Sequence, residues 1–222
     1  MSLGEILQKS LAGRPEGAPK RTGKELCGVW YRLMRPPFFI TAAIPVCVAL
    51  GFVMRAGYPL DSALWLRFAG LLLGCFCGLT IANLANELFD YVLGTDAREE
   101  SIGGTGAIQS GLVSCRELFL AILFFVAVTI AIGLGLILSL PEGLHAPLIL
   151  LTLFAVASAI FYVAPPIRYG YRGLGEVMVG INMGFIIVGA SSVILAGTFE
   201  LRALALALPV AGMVAGILYY QS

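Results

Sequence analysis

The sequence predicts an all-α membrane protein, a polytopic bundle of transmembrane helices. Hydrophobic residues make up 59% of the 222-residue chain and charged residues only 12%, whereas a soluble domain averages about 25% charged residues. The apolar residues are gathered into six runs, each long enough to cross the roughly 30 Å of hydrocarbon in a bilayer. The runs lie near residues 37–57, 64–89, 117–140, 147–164, 175–197 and 202–220.

A basic segment, residues 1–35, precedes the transmembrane domain of residues 36–222. It contains seven Lys and Arg residues and has no early apolar core of the kind found in a signal peptide. Two interpretations fit this composition: a mobile or amphipathic cytoplasmic lead that lies on anionic lipid, or a disordered tail without a role.

Local signals mark several helix ends. Asp61 or Ser62 can cap the second span, and Ser114–Glu117 has the spacing of a capping box for the third. Pro45 and Pro209 lie inside apolar runs and predict kinks in the first and sixth helices.

Small residues recur every four positions in the second span, at Gly70, Gly74 and Gly78, and again in the fifth span, at Gly180 and Gly184. This spacing lets neighbouring transmembrane helices approach closely. It therefore predicts a tightly packed bundle.

The distribution of basic residues predicts the orientation. Most of the fourteen Lys and Arg residues fall on the side of the N-terminus, and only Arg55, Arg67 and Arg202 fall on the other. Positively charged loops stay in the cytoplasm, so we expect an inner-membrane protein with its N-terminus and polar loops on the cytoplasmic side. The net charge of +1 gives no sign of a nucleic-acid partner, and the sequence does not indicate the oligomeric state.

An acidic stretch at residues 83–96 ends the second span. On a helix, Asn83, Asn86 and Asp90 share one face, and Gly94 allows a turn that brings Asp96 back toward Asp90. A carboxylate costs roughly 2.5–3.5 kcal/mol at the bilayer centre and less near its surface, so such a cluster usually has a function. Magnesium takes one or two protein carboxylates and completes its shell with water and phosphate. The stretch therefore predicts a magnesium and diphosphate site at the membrane surface; the alternative is a solvated acidic loop.

A second polar loop follows the fourth span. Arg168 and Arg172 in this loop can bind phosphate oxygens through two parallel hydrogen bonds each. The alternative is that both arginines only follow the positive-inside rule, with the neighbouring tyrosines as interfacial residues.

These stretches together resemble the UbiA-type intramembrane prenyltransferases, in particular the branch of the 1,4-dihydroxy-2-naphthoate prenyltransferases. Asn-x-x-Asn-Glu-x-Phe-Asp-Tyr-x-x-Gly-x-Asp at 83–96 resembles the first acidic motif of that family. Arg-Pro-Pro at 35–37, Gln-Ser-Gly-Leu-Val-Ser at 109–114 and Tyr-Arg-Gly-Leu-Gly-Glu at 171–176 agree with it. The resemblance covers nearly everything from residue 32 to the end.

The resemblance implies a fold and an activity. Asn86, Asp90 and Asp96 would be the catalytic residues that hold Mg²⁺ on a polyprenyl diphosphate. Loss of diphosphate leaves an allylic cation, which a carbon of an aromatic acceptor attacks, and the product belongs to a menaquinone-like quinone pathway. The further substrate-binding candidates are Asn83, Glu87, Arg35, Arg98, Tyr162, Arg168, Tyr171 and Arg172.

Three features depart from the family pattern. Glu87 stands where the family usually has Asp, and Gly103–Gly106 replaces a basic Gly-Pro-Arg segment. The family normally has nine helices and a second acidic motif after the sixth, whereas this sequence ends where that motif would begin. Two other hypotheses therefore stay open: a catalytically incomplete membrane fragment that binds isoprenoid diphosphate without turnover, and a small transporter. A transporter would carry its carboxylates near mid-bilayer on interrupted helices.

Overall fold

The computed structural model describes residues 3–94, 105–163, 166–167 and 169–221. Within these ranges, all regular structure is helical, and the contacts divide the chain into two units. Unit 1 comprises Met1–Pro37 and Cys77–Ala127, and unit 2 comprises Phe38–Phe76 and Val128–Ser222.

The α-helices, numbered in chain order, are α1 Leu3–Ser10, α2 Gly23–Met34, α3 Phe39–Arg55, α4 Ser62–Leu93, α5 Cys115–Leu138, α6 His145–Val163, α7 Gly175–Gly180, α8 Gly189–Ala196 and α9 Leu204–Gln221. A π-helical segment, Ile181–Val188, joins α7 to α8. Short 3₁₀ turns occur at Pro36–Phe38, Glu142–Leu144, Tyr169–Arg172 and Leu201–Ala203.

Five helical runs in the described part of the chain are long and apolar enough to cross a membrane. They are Gly23–Arg55, Ser62–Leu93, Cys115–Leu138, Glu142–Tyr162 and Gly175–Ala196, and Leu201–Ile217 is a shorter apolar helix. Each of the six predicted spans thus corresponds to a helix, which confirms the helical membrane bundle. The first run begins earlier than predicted, because α2 is helical as well as α3.

The basic N-terminal segment is ordered and packs within unit 1. Thr22 caps α2 in a reciprocal box with Glu25: the Glu25 N–H donates to Thr22 Oγ1 at 3.3 Å and the Thr22 N–H to Glu25 Oε2 at 2.7 Å. Ile6 and Leu33 are buried in one apolar cluster with Leu88 of α4. Helices α1 and α2 therefore bury apolar residues within unit 1, and the predicted contact of the segment with anionic lipid stays a prediction.

Two arginines attach the N-terminal segment to the chain that leads into α5. Arg14 Nε donates to the Gly111 carbonyl at 2.8 Å, and Arg21 donates to the Leu112 carbonyl at 2.7 Å. Arg21 also pairs with the Glu117 carboxylate, and this hydrogen bond raises the pKa of the Arg21 guanidinium.

The predicted helix caps are confirmed at two spans. The Glu117 N–H donates to Ser114 Oγ at 3.1 Å and the Ser114 N–H donates to Glu117 Oε2 at 2.8 Å, which completes the capping box of α5. At the start of α4 the Leu64 N–H donates to Asp61 Oδ1 at 2.8 Å, so Asp61 rather than Ser62 is the cap.

Glycines allow close helix contacts in unit 2. A Cβ atom added at Gly184 would lie 2.6 Å from the Cβ of Ala211 in α9, and one at Gly70 would lie 3.1 Å from Leu136 Cδ2. Gly180 and Gly74 also have a neighbour within 4 Å, whereas Gly78 has none among the described residues. The predicted close approach is thus confirmed at four of these glycines and not at Gly78.

Candidate functional site

The acidic stretch begins on the last turns of α4, as the spacing predicted. Asn86 and Asp90 are half-buried and lie one turn apart on the same face of the helix. The helix ends at Leu93, and Gly94 has a positive φ of 73°, a conformation that glycine adopts without steric cost. The chain therefore turns at Gly94, whereas the predicted return of Asp96 toward Asp90 lies outside the described residues.

Asn83 is buried and holds the end of α2. Its Nδ2 atom donates to the Met34 carbonyl at 3.0 Å, one of the carbonyls that a helix leaves without an intrahelical partner at its C-terminus. The next residue, Arg35, has φ 52° and ψ 56°, a left-handed conformation that is rare for a residue other than glycine. Asn83 thus fixes the backbone from which the predicted phosphate ligand Arg35 projects.

Glu87 is only 3% exposed and binds Thr105. The Thr105 N–H lies 3.1 Å from Glu87 Oε1 and 3.0 Å from Oε2, and the Thr105 hydroxyl donates to Oε1 at 2.6 Å. Thr105 is the first described residue after 95–104. Glu87 therefore anchors the chain where it returns from the acidic stretch, and this contact accounts for the buried charge.

Thr105 is not among the residues predicted from the sequence, although the sequence contains a usable signal for it. Thr105 is the one hydroxyl residue in the stretch Gly103–Gly106, which already departed from the family pattern. Its hydroxyl also accepts a hydrogen bond from the Ala107 N–H at 3.3 Å, so it joins two parts of the returning chain.

Three predicted ligands lie outside the described residues: Asp96, Arg98 and Arg168. Among the residues that are described, no three His, Cys, Asp or Glu side chains converge in a way that could hold a metal ion. Magnesium, however, needs only one or two carboxylates when phosphate and water complete its shell. The carboxylate of Asp90 and the amide oxygen of Asn86 are donors of the right kind, so this face fits part of a magnesium site.

The second polar loop is built around the ring of Tyr162 at the end of α6. Tyr162 and Tyr169 meet edge to face, with ring centroids 5.4 Å apart and an interplanar angle of 87°. A Cβ atom at Gly170 would lie 2.9 Å from Tyr162 Cε1, and one at Gly175 would lie 3.4 Å from its hydroxyl oxygen. The glycines flanking this loop are therefore needed because the Tyr162 ring packs on their backbone.

A buried polar network supports the same loop. The Tyr169 hydroxyl is hydrogen-bonded to Ser158 Oγ at 2.7 Å and also donates to the Ser158 carbonyl. Asn182 Nδ2, in the π-helical segment, donates to Ser158 Oγ at 2.6 Å. Burial raises the pKa of Tyr169, which keeps it protonated. These three residues are not among those predicted from the sequence. The available signal was Asn182, a polar residue within an apolar span.

The remaining residues of this loop are placed by the 3₁₀ turn Tyr169–Arg172. Arg172 is exposed, and its Nη2 donates to the Pro166 carbonyl over a long distance of 3.4 Å. Tyr171 belongs to the same turn. Within the described ranges, most of the hydrogen-bonding capacity of the Arg172 guanidinium therefore remains for a ligand.

The two polar loops belong to different units, the acidic stretch to unit 1 and the loop after α6 to unit 2. Their placement on the cytoplasmic side stays a prediction.

Comparison with known proteins decides the family. The family model described as "UbiA prenyltransferase family" matches residues 29–222. The chain belongs to this family. It is an integral membrane protein, as its apolar helices indicate.

Curated relatives agree with the resemblance to the naphthoate branch. The chain is 30% identical over 181 residues to a protein of Haemophilus influenzae named 1,4-dihydroxy-2-naphthoate octaprenyltransferase, a match that covers 78% of this chain and 56% of the relative. The protein of that name from Escherichia coli is 28% identical, with coverages of 73% and 52%. The chloroplastic 2-carboxy-1,4-naphthoquinone phytyltransferase of Arabidopsis thaliana is 27% identical, with coverages of 80% and 44%.

The chain spans about half the length of these curated relatives. No solved structure gives a significant match to it.

Proposed function

We propose that this UbiA-family chain transfers a polyprenyl group from an isoprenoid diphosphate to a naphthoate-type aromatic acceptor in quinone biosynthesis, in a magnesium-dependent reaction. One observation supports it above the others. In a chain of this family, a membrane-crossing helix ends with an amide and a carboxylate, Asn86 and Asp90, one turn apart on one face.

Each polar residue has a role in this proposal. Asn86, Asp90 and Asp96 would hold Mg²⁺, which when bound neutralises the charge that builds on the departing diphosphate. Arginine guanidiniums would bind the phosphate oxygens in the bidentate manner that suits them. The candidates are Arg35, Arg98, Arg168 and Arg172. Tyr171 is a further substrate-binding candidate in the same turn as Arg172.

Three candidates act through other residues in this proposal. Asn83 positions Arg35 by binding the Met34 carbonyl, and Glu87 positions the acidic stretch by binding Thr105. Tyr162 shapes the arginine loop because Gly170 packs under its ring, and its aromatic face is suited to steady an allylic cation.

The membrane setting suits the chemistry. A long isoprenoid tail is soluble in the bilayer, and apolar helices around the reacting carbon exclude water that would otherwise quench the cation. The bias of basic residues supports a site on the cytoplasmic face of the inner membrane.

The main experiment measures both binding and turnover. Purified chain in lipid vesicles is given a radiolabelled polyprenyl diphosphate and 1,4-dihydroxy-2-naphthoate, with and without Mg²⁺. We expect magnesium-dependent diphosphate binding that Asp90→Ala abolishes, with the exposed Glu142→Gln as the matched control. Unchanged magnesium-dependent affinity in Asp90→Ala would overturn the assigned site.

The same assay tests the alternative that the chain binds the diphosphate without transferring the prenyl group. Magnesium-dependent binding without labelled product supports this alternative, and formation of product excludes it.

A further inference from the structure

A polar cleft lies in unit 2, between the end of α3 and the segment that precedes α9. It has a volume of about 310 Å³ and is lined by Phe52, Arg55, Ala56, Tyr58, Glu200 and Arg202. None of these residues belongs to the two motif loops described above.

The cleft presents two available positive charges. Within the described parts of the chain, neither the Arg55 nor the Arg202 guanidinium has a hydrogen bond or an ion pair. The single carboxylate of the lining, Glu200, accepts a hydrogen bond from the Tyr58 hydroxyl, which raises the pKa of Tyr58. The cleft therefore carries a net positive charge and suits an anion.

An apolar groove runs along the same two helices. It has a volume of about 290 Å³ and is lined by Ile44, Val48, Leu206, Pro209, Val210 and Met213. Ile44, Val48 and Phe52 are four residues apart on α3 and so share one face, which leads to Arg55 at the helix end. The groove and the cleft thus follow one face of α3.

The lengths of the two segments that line the cleft and the groove match the hydrocarbon thickness of one bilayer leaflet. Eleven residues separate Ile44 from Arg55 and Arg202 from Met213, which corresponds to about 16 Å along each segment at 1.5 Å per residue. Half of the hydrocarbon thickness is about 15 Å. A phosphate held at the arginines would therefore leave an acyl chain to fill the groove as far as mid-bilayer.

The position of the arginines is unusual for a membrane protein. Arg55, Arg67 and Arg202 are the basic residues that the sequence predicts on the side opposite the N-terminus, against the general bias. Arg67 has a structural role, because its Nη2 donates to the Ser139 carbonyl at 2.7 Å and its Nε to Ser139 Oγ at 3.2 Å. Arg55 and Arg202 have no such role in the described structure and instead line the cleft.

We propose that this cleft and groove together bind one anionic phospholipid, with its phosphate between Arg55 and Arg202 and one acyl chain along Val48 and Leu206. The inference does not depend on the prenyl-transfer proposal, because none of its residues belongs to that site. Its residues lie in unit 2 alone.

Native mass spectrometry of the full chain in detergent tests the proposal, with phosphatidylglycerol, phosphatidylcholine and inorganic phosphate as the probes. We expect retention of one phosphatidylglycerol in preference to phosphatidylcholine. An arginine near a lipid surface contributes about 1 kcal/mol, so Arg55→Gln combined with Arg202→Gln should weaken retention about thirtyfold. The double lysine variant, which keeps both charges, should restore most of it.

Two further variants test the groove separately from the two arginines. Val48→Trp should block the groove and release the lipid, whereas Gly133→Ala, which alters a position with no described neighbour within 4 Å, should retain it. Equal retention of phosphatidylglycerol by the double glutamine variant or by Val48→Trp would overturn the proposal. Binding of inorganic phosphate with no retained lipid would also overturn it, because it would identify a free anion as the occupant.

Discussion

The contact between Glu87 and Thr105 gives the sharpest test of how the acidic stretch is held. Replacement of Glu87 by Gln keeps the size of the side chain but turns one acceptor oxygen into an NH₂ donor and removes the charge. Both carboxylate oxygens lie within 3.1 Å of the Thr105 nitrogen, so Gln must place its NH₂ group against this N–H or rotate away from it.

The expected loss of unfolding free energy follows from the hydrogen bonds between Glu87 and Thr105 that the substitution removes. A hydrogen bond to a charged group contributes about 1.5–3 kcal/mol, and Glu87 is 3% exposed, so water does not replace the lost partner. We expect Glu87→Gln to lower the free energy of unfolding of unit 1 by about 1.5–3 kcal/mol. Thr105→Val removes the hydroxyl that donates to the same carboxylate, so it should also cost about 1.5–3 kcal/mol.

The assay is denaturant unfolding in mixed micelles, followed by tryptophan fluorescence. The chain has two tryptophans, and Trp30 packs against the apolar cluster of unit 1, so a Trp65→Phe background reports on this unit. A double-mutant cycle between Glu87→Gln and Thr105→Val should give a coupling energy of about 0.5–3 kcal/mol. The control Glu142→Gln should change the free energy of unfolding little. A coupling near zero would refute the anchor role.

Three other changes are predicted from packing and hydrogen bonds. Gly184→Ala places a Cβ 2.6 Å from the Cβ of Ala211 and should lower the free energy of unfolding by about 1–3 kcal/mol. The control Gly133→Ala should be neutral or stabilising. Equal melting temperatures for the two variants would contradict this prediction. Ser191→Ala removes a buried hydroxyl that has no partner among the described residues and should raise the melting temperature. Its matched control, Ser192→Ala, removes a hydroxyl that donates to a carbonyl at 2.8 Å. This control should lower the melting temperature or leave it unchanged. Tyr169→Phe should destabilise unit 2 by about 1–3 kcal/mol, since it removes a hydroxyl that is hydrogen-bonded to Ser158 in a buried site. An unchanged unfolding midpoint, followed by Trp65 fluorescence in a Trp30→Phe background, would contradict this.

Local sequence accounts for the parts of the structure that depend on neighbouring residues. Apolar run length predicted the spans, and the spacing of Ser114 and Glu117 predicted a cap that the structure confirms. The four-residue step from Asn86 to Asp90 places both on one helical face. These features need no knowledge of distant residues, because helix periodicity and capping operate within one or two turns.

Sequence by itself thus determined the helical membrane class, the caps and, through its motifs, the UbiA family. Tertiary structure alone decided that Glu87 binds Thr105, 18 residues away, and that Asn83 binds Met34, 49 residues away. It also decided that Gly184 contacts another helix while Gly78 has no described neighbour within 4 Å. The physical reason is that a side chain's partner across the fold depends on how helices approach one another, and helix packing permits several crossing angles for the same small-residue pattern.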